Sequence, residues 1–149
     1  MTLEEIAKKM CSKGKGILAA DESTGTIAKR FKSIGVENTE KNRLTFRQSL
    51  FSSDAVKDYI GGVILFDETI KQKTTLGLTV PELINKNGAV PGIKVDKGAK
   101  SLAGSSKEMV TEGLDGLRER LIEYYEIGAR FTKWRGVYTI GNKIPSAQS

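Results

Sequence analysis

The chain has 149 residues, 38% hydrophobic and 28% charged, the balance of an ordinary globular domain rather than of a disordered segment. It carries no histidine and a single cysteine, Cys11, so the usual His- and Cys-rich zinc sites cannot be assembled and no intrachain disulfide can form; nor does any acidic cluster have calcium-loop spacing. The net charge of +6 is spread through mixed stretches such as EEIAKK, ENTEKNR and GLRERLIEYYEIGAR, which favours a site for anionic small molecules over a nucleic-acid or membrane surface.

Thr2 to Ser12 reads as an amphipathic helix with Leu3, Ile6 and Met10 on one face, closed by Gly14. This pattern is not that of a signal peptide, and the longest apolar run, Gly61 to Phe66, is too short to cross a bilayer. A cytoplasmic protein is expected. Gly16 to Ala20 reads as a strand ending at Asp21, and Ser23 and Thr24 supply hydroxyls to cap a helix that runs to Gly35. A second helix is expected from Glu40 to about Phe51, with Leu44, Leu50 and Phe51 as its apolar residues.

Gly61 to Phe66 has the continuous apolar character of a strand buried on both faces of a parallel sheet. Pro81 to Lys86 reads as a short helix opened by proline, Pro91-Gly92 introduces a strand at Ile93 to Val95, and Lys100 to Thr111 reads as polar and irregular. An amphipathic helix is expected around Leu114, Leu117, Leu121 and Tyr124 or Tyr125, followed by a fourth strand region from Arg130 to Ile140. Strands alternating with helices predict a parallel α/β architecture, doubly wound or a (β/α)8 barrel. A nucleotide-binding doubly wound fold would place a glycine-rich loop after its first strand, whereas Gly14-Lys15-Gly16 precedes it, so the barrel is the expected fold. A complete barrel takes about 250 residues. The expectation is therefore a single domain, residues 1–149, forming about the first four strands of a barrel.

Three of these strands carry charge at or near their ends: Asp21, Lys94 and Lys133. Alternation places Lys133 and Arg135 on one face with Trp134 on the other, and Lys94 and Asp96 opposite Ile93 and Val95. Parallel neighbours would gather one carboxylate and two ammonium groups at one cavity. Blander roles exist for each: Asp21 as a helix N-cap, Lys94 and Asp96 as an ion pair, Arg30 and Arg43 as solvated helix charges, Trp134 as core packing and Cys11 as a small buried hydrophobe. A lysine in an apolar strand is paired or catalytic, and from the residues alone Lys133 is a candidate amine nucleophile.

The strings GKGILAADEST, ENTEKNR, IGGVILFDET, PGIKVDKG, TEGLDGL and GARFTKWR resemble, in order and approximate spacing, the class I fructose-bisphosphate aldolases, and the resemblance spans Met1 to Ser149. It implies a metal-independent glycolytic lyase with no cofactor, a homotetrameric (β/α)8 barrel, and a phosphorylated sugar substrate. Fructose 1,6-bisphosphate would be cleaved to dihydroxyacetone phosphate and glyceraldehyde 3-phosphate through a lysine Schiff base. Carried over, Asp21, Lys94 and Lys133 match catalytic positions, and Ser23, Thr26, Arg30, Arg43 and Arg135 match positions of substrate or phosphate binding. Thr26 stands where many members have serine. The Schiff-base lysine and an acid/base glutamate of the family match no motif here, so the chain by itself is expected to be a barrel fragment, inactive and prone to aggregate. The alternative is a non-catalytic scaffold whose basic surface takes an acidic partner such as actin.

Overall fold

The computed structural model describes residues 1–149. Helix α1 (Leu3–Met10) begins with a capping box in which Thr2 and Glu5 satisfy each other's backbone N–H groups. Strand β1 (Gly16–Ala20) follows, then α2 (Thr24–Ser33) and α3 (Glu40–Phe51), the latter with the predicted bounds. The N-caps of α2 and α3 are Ser23 and Thr39. Ser23, not Asp21, thus caps α2. Two short helices escape sequence reading: α4 (Asp54–Tyr59), which leads into β2 (Ile60–Leu65), and α5 (Asp67–Ile70), which leaves it. Neither is long enough to show a helical period.

Helix α6 (Val80–Lys86) has proline in its first turn and a Thr79–Glu82 capping box. Strand β3 spans Val90–Lys94. Its start corrects the sequence reading, because Pro91 and Gly92 lie within the strand: Pro91 supplies its carbonyl to the Arg130 N–H and needs no N–H of its own. The supposedly irregular stretch contains a small antiparallel hairpin, β4 (Ala99–Ser101) and β5 (Met109–Thr111). Helix α7 (Leu117–Ile127) then ends at Gly128, whose φ of 125° suits glycine, and β6 is only Phe131–Lys133. No helix is long and apolar enough to cross a membrane.

Strands β1, β2, β3 and β6 form one parallel sheet in that order. The order never reverses, as it would at the switch point of a doubly wound fold; successive strands simply add to one edge, as in a barrel wall. Val63, Leu65, Ile93 and Val95 turn toward the helices and build the core with Phe51, Ile70, Val80, Leu83, Ile84 and Tyr124. Alternation then turns Lys94 to the other face, and the register sets it directly beside Lys133. At the amino end, a Cβ on Gly61 would sit 2.4 Å from the Met10 carbonyl oxygen, and one on Gly92 would sit 2.3 Å from the Phe131 ring. Glycine is required there by close approach.

Two bland expectations fail. Trp134 is 37% exposed, and Cys11 is exposed. β6 stops at Lys133, so Trp134 lies beyond the regular strand and is not part of the core cluster.

Candidate functional site

The carboxyl ends of the four strands open into a cavity of about 970 Å³ whose lining includes Asp21, Ser23, Thr26, Arg30, Lys94, Lys133 and Arg135. Seven of its lining side chains are cationic and five are acidic, an excess that suits an anionic ligand. Asp21 is carried by the chain leaving β1, and Lys133 is the last residue of β6. Lys133 Nζ donates to Asp21 Oδ2 at 2.8 Å although 112 residues separate them. The Asp21 side chain is 12% exposed and that of Lys133 31%, so the pair is screened from bulk water on most sides and reachable from the cavity.

Lys94 lies beside them, donating to Asp96 Oδ1 at 2.5 Å and to the Asp96 carbonyl at 2.8 Å. Asp96 also accepts from the backbone N–H of Arg135 (3.3 Å) and of Gly98 (3.2 Å). Burial pushes the Asp96 carboxyl up, but the Lys94 hydrogen bond and charge and the two N–H donors outweigh it and hold the group below its usual value. The ion-pair reading of Lys94 and Asp96 is therefore correct as geometry, and it fixes the ammonium at the cavity wall. The hairpin is tied to the same place, since Thr111 Oγ1 donates to the Arg135 carbonyl at 2.8 Å.

At the other rim, the Ser23 and Thr26 hydroxyls are 3.0 Å apart in the first turn of α2, and Arg30 pairs with Glu22. Arg135 and Lys97 are exposed cations of the rim without a carboxylate partner. Arg43 is not brought to the cavity. Its guanidinium is a fork on Glu68 (2.9 and 2.5 Å) and also donates to the Asn38 carbonyl; the Glu68 bond raises its pKa, and the same contact lowers that of Glu68. Substrate contact by Arg43 is thus not supported by this geometry, which ties α3 to α5 instead.

The sequence reading missed a second set of lining residues. Lys71 bridges Asp67 (3.0 Å) and Glu123 (2.9 Å), and the Tyr124 hydroxyl donates to Asp67 at 2.8 Å. Burial raises the Tyr124 pKa; Asp67, also pushed up by burial, is brought below its usual value by the bonds from Tyr124 and Lys71. Lys71 lies four residues after Asp67, a spacing that flags such a pair on a helix. The pairing with α7 has no local signal. No three His, Cys, Asp or Glu side chains converge in a way that could hold a metal ion.

A family model described as glycolytic, fructose-bisphosphate aldolase class-I, matches residues 2–149. Among curated relatives, a probable fructose-bisphosphate aldolase class 1 of Xylella fastidiosa is 58% identical over 97% of this chain and 43% of its own length. A cytosolic fructose-bisphosphate aldolase 5 of Arabidopsis thaliana is 56% identical over 99% of this chain and 41% of its own. A solved structure of fructose-bisphosphate aldolase from Plasmodium falciparum, in complex with TRAP and a small-molecule inhibitor, superposes with a TM-score of 0.88 at 49% identity, over 92% of this chain and 40% of that one. The chain thus spans about two-fifths of the length of the relatives it matches.

Proposed function

We propose a function from one premise, that this chain belongs to the class I fructose-bisphosphate aldolase family. The reading is reversible aldol cleavage of fructose 1,6-bisphosphate to dihydroxyacetone phosphate and glyceraldehyde 3-phosphate, in which these residues supply one wall of a (β/α)8 barrel site and the Schiff-base lysine stands on a strand outside the four described here. The observation that carries it is the Asp21–Lys133 contact at the carboxyl ends of β1 and β6, with Lys94 adjacent. Active sites of such barrels sit at this end.

Asp21 takes the C4 hydroxyl proton as the C3–C4 bond breaks, and its charge stabilises the iminium. Lys133, held on Asp21, is placed to give and take protons as water adds to and leaves the carbinolamine carbon, while Lys94 contacts substrate oxygens. Ser23, Thr26, Arg30 and Arg135 form the phosphate-binding rim, their hydroxyls and guanidiniums matching phosphate oxygens. The native assembly is a homotetramer in the cytoplasm, in keeping with the cytosolic relative.

In the intact protein, Asp21→Asn keeps size but removes the proton acceptor. Cleavage should then fall by about a hundredfold or more, while borohydride still traps a dihydroxyacetone phosphate adduct and a chelator leaves wild-type cleavage untouched. Retained cleavage in Asp21→Asn, or loss on chelation, would contradict the assignment.

A further inference from the structure

Helix α3 buries two arginines, Arg43 and Arg47, one turn apart and one turn before Phe51. Arg43 has its carboxylate. Arg47 is 0% exposed and shares the Glu68 carboxylate only as a longer ion pair, Nη1 to Oε1 at 3.7 Å, with no hydrogen bond to it. Its Nη2 donates instead to the Glu22 carbonyl and its Nη1 to Thr69 Oγ1, both at 2.6 Å, while Nε is buried without an acceptor. The guanidinium also lies 5.8 Å from the centre of the Phe66 ring. An apolar side chain of similar volume commonly fills such a site at no loss of stability, so packing alone does not account for an arginine here. The two acceptors do: Glu22 immediately follows Asp21 at the exit of β1, and Thr69 is on α5 at the exit of the neighbouring β2.

We propose that Arg47 is a positioning residue that clamps the chain exits of β1 and β2 and thereby holds the Asp21 carboxylate on Lys133 Nζ. The role rests on the aldol-cleavage reading above. Glu22 cannot swing outward without breaking a charge-assisted bond to a buried guanidinium, and Asp21 is fixed through the adjacent peptide. A small misplacement of a reacting group costs a large factor in rate, so the clamp acts on the chemical step more than on substrate binding.

The test uses the intact protein with Arg47→Lys and Thr69→Val, and Phe51→Leu as a core substitution on the same helix outside the site. Melting temperature, kcat and KM for fructose 1,6-bisphosphate, and borohydride trapping with dihydroxyacetone phosphate are measured on each. Lysine cannot span both acceptors, so Arg47→Lys should lower kcat by about tenfold to a hundredfold, with KM changed by less than about twofold and the adduct still formed. Thr69→Val, which leaves the arginine and removes one acceptor, should lower kcat by about threefold. Phe51→Leu should lower the melting temperature with kcat unchanged.

If Arg47→Lys does not fold, Thr69→Val decides: a normal kcat in it overturns the clamp. A normal kcat in folded Arg47→Lys, or an equal loss in Phe51→Leu, overturns it as well. Wild-type protein that neither cleaves nor forms the adduct overturns the aldolase reading and this role with it, whereas active wild type with normal variants overturns the role alone.

Discussion

The two ends of the four-stranded sheet are made of opposite materials. At the amino end, Gly61, Gly62 and Gly92 clear space so that Met10 and the Phe131 ring can lie against β2 and β3; at the carboxyl end the strands deliver Asp21, Lys94 and Lys133 into one cavity. Volume is the constraint at the first and charge at the second. Substitutions at the two ends should therefore separate, with stability lost at one and turnover at the other. A single charge removed from the cavity should matter more to rate than to folding, because Lys133 and Asp21 lie outside the core cluster and line the cavity.

The largest expected effect is at Lys133. In the intact protein, Lys133→Met should cut kcat by about a hundredfold or more, since preorganised charge in such sites commonly contributes about 3–4 kcal/mol to the transition state. The urea midpoint should move little. Lys8, exposed on α1 and paired only with Glu4, should tolerate methionine with kcat unchanged. Equal effects at both lysines would erase the distinction between the ends.

The amino end gives the reciprocal result. Gly92→Ala drives a methyl into the Phe131 ring and should destabilise the fold by about 1–3 kcal/mol, read by urea unfolding. Adding Phe131→Leu should recover part of that loss, since the two sites are in contact and their effects should not add. Full additivity would show that the ring is not what the methyl meets.

The carboxyl end should also be the acid-sensitive one. Asp96 has a folded pKa below its unfolded value of about 3.9, so it binds fewer protons folded than unfolded. Its contribution is present above that unfolded value and is lost as pH falls through the folded one. Asp96→Asn should flatten the pH dependence of stability in that window. An unchanged slope would mean that Lys94 and the two N–H donors do not hold the ionised form.

How far the sequence discloses these two ends follows from how local each signal is. The strand alternation that puts Lys94 opposite Ile93 and Val95 is written in consecutive residues, and the N-cap at Thr39 and the bounds of α3 are likewise local. The buried face of α3 is not. Leu44, Leu50 and Phe51 point to an apolar stripe, and Phe51 is buried with the two leucines packed partly against the core, yet Arg43 and Arg47 are buried beside it, because acceptors on α5 and on the chain after β1 bond the guanidiniums. The hairpin β4–β5 is invisible for a similar reason: two strands of three residues show no period, and their pairing spans a loop.

The smallest expected effect is at Cys11. It is exposed, contrary to what a lone cysteine at a helix end suggests. Cys11→Ser should change stability by less than about 0.5 kcal/mol in a urea melt. A larger loss would mean that the thiol is packed.

The proposed division of labour at the carboxyl end gives protons and substrate oxygens to Asp21, Lys94 and Lys133 and the covalent bond to another lysine. The direct measurement is peptide mapping of the intact protein after incubation with dihydroxyacetone phosphate and reduction with borohydride. The account predicts one modified lysine, outside residues 1–149, with Lys94 and Lys133 unmodified. An adduct on either of those two would contradict it.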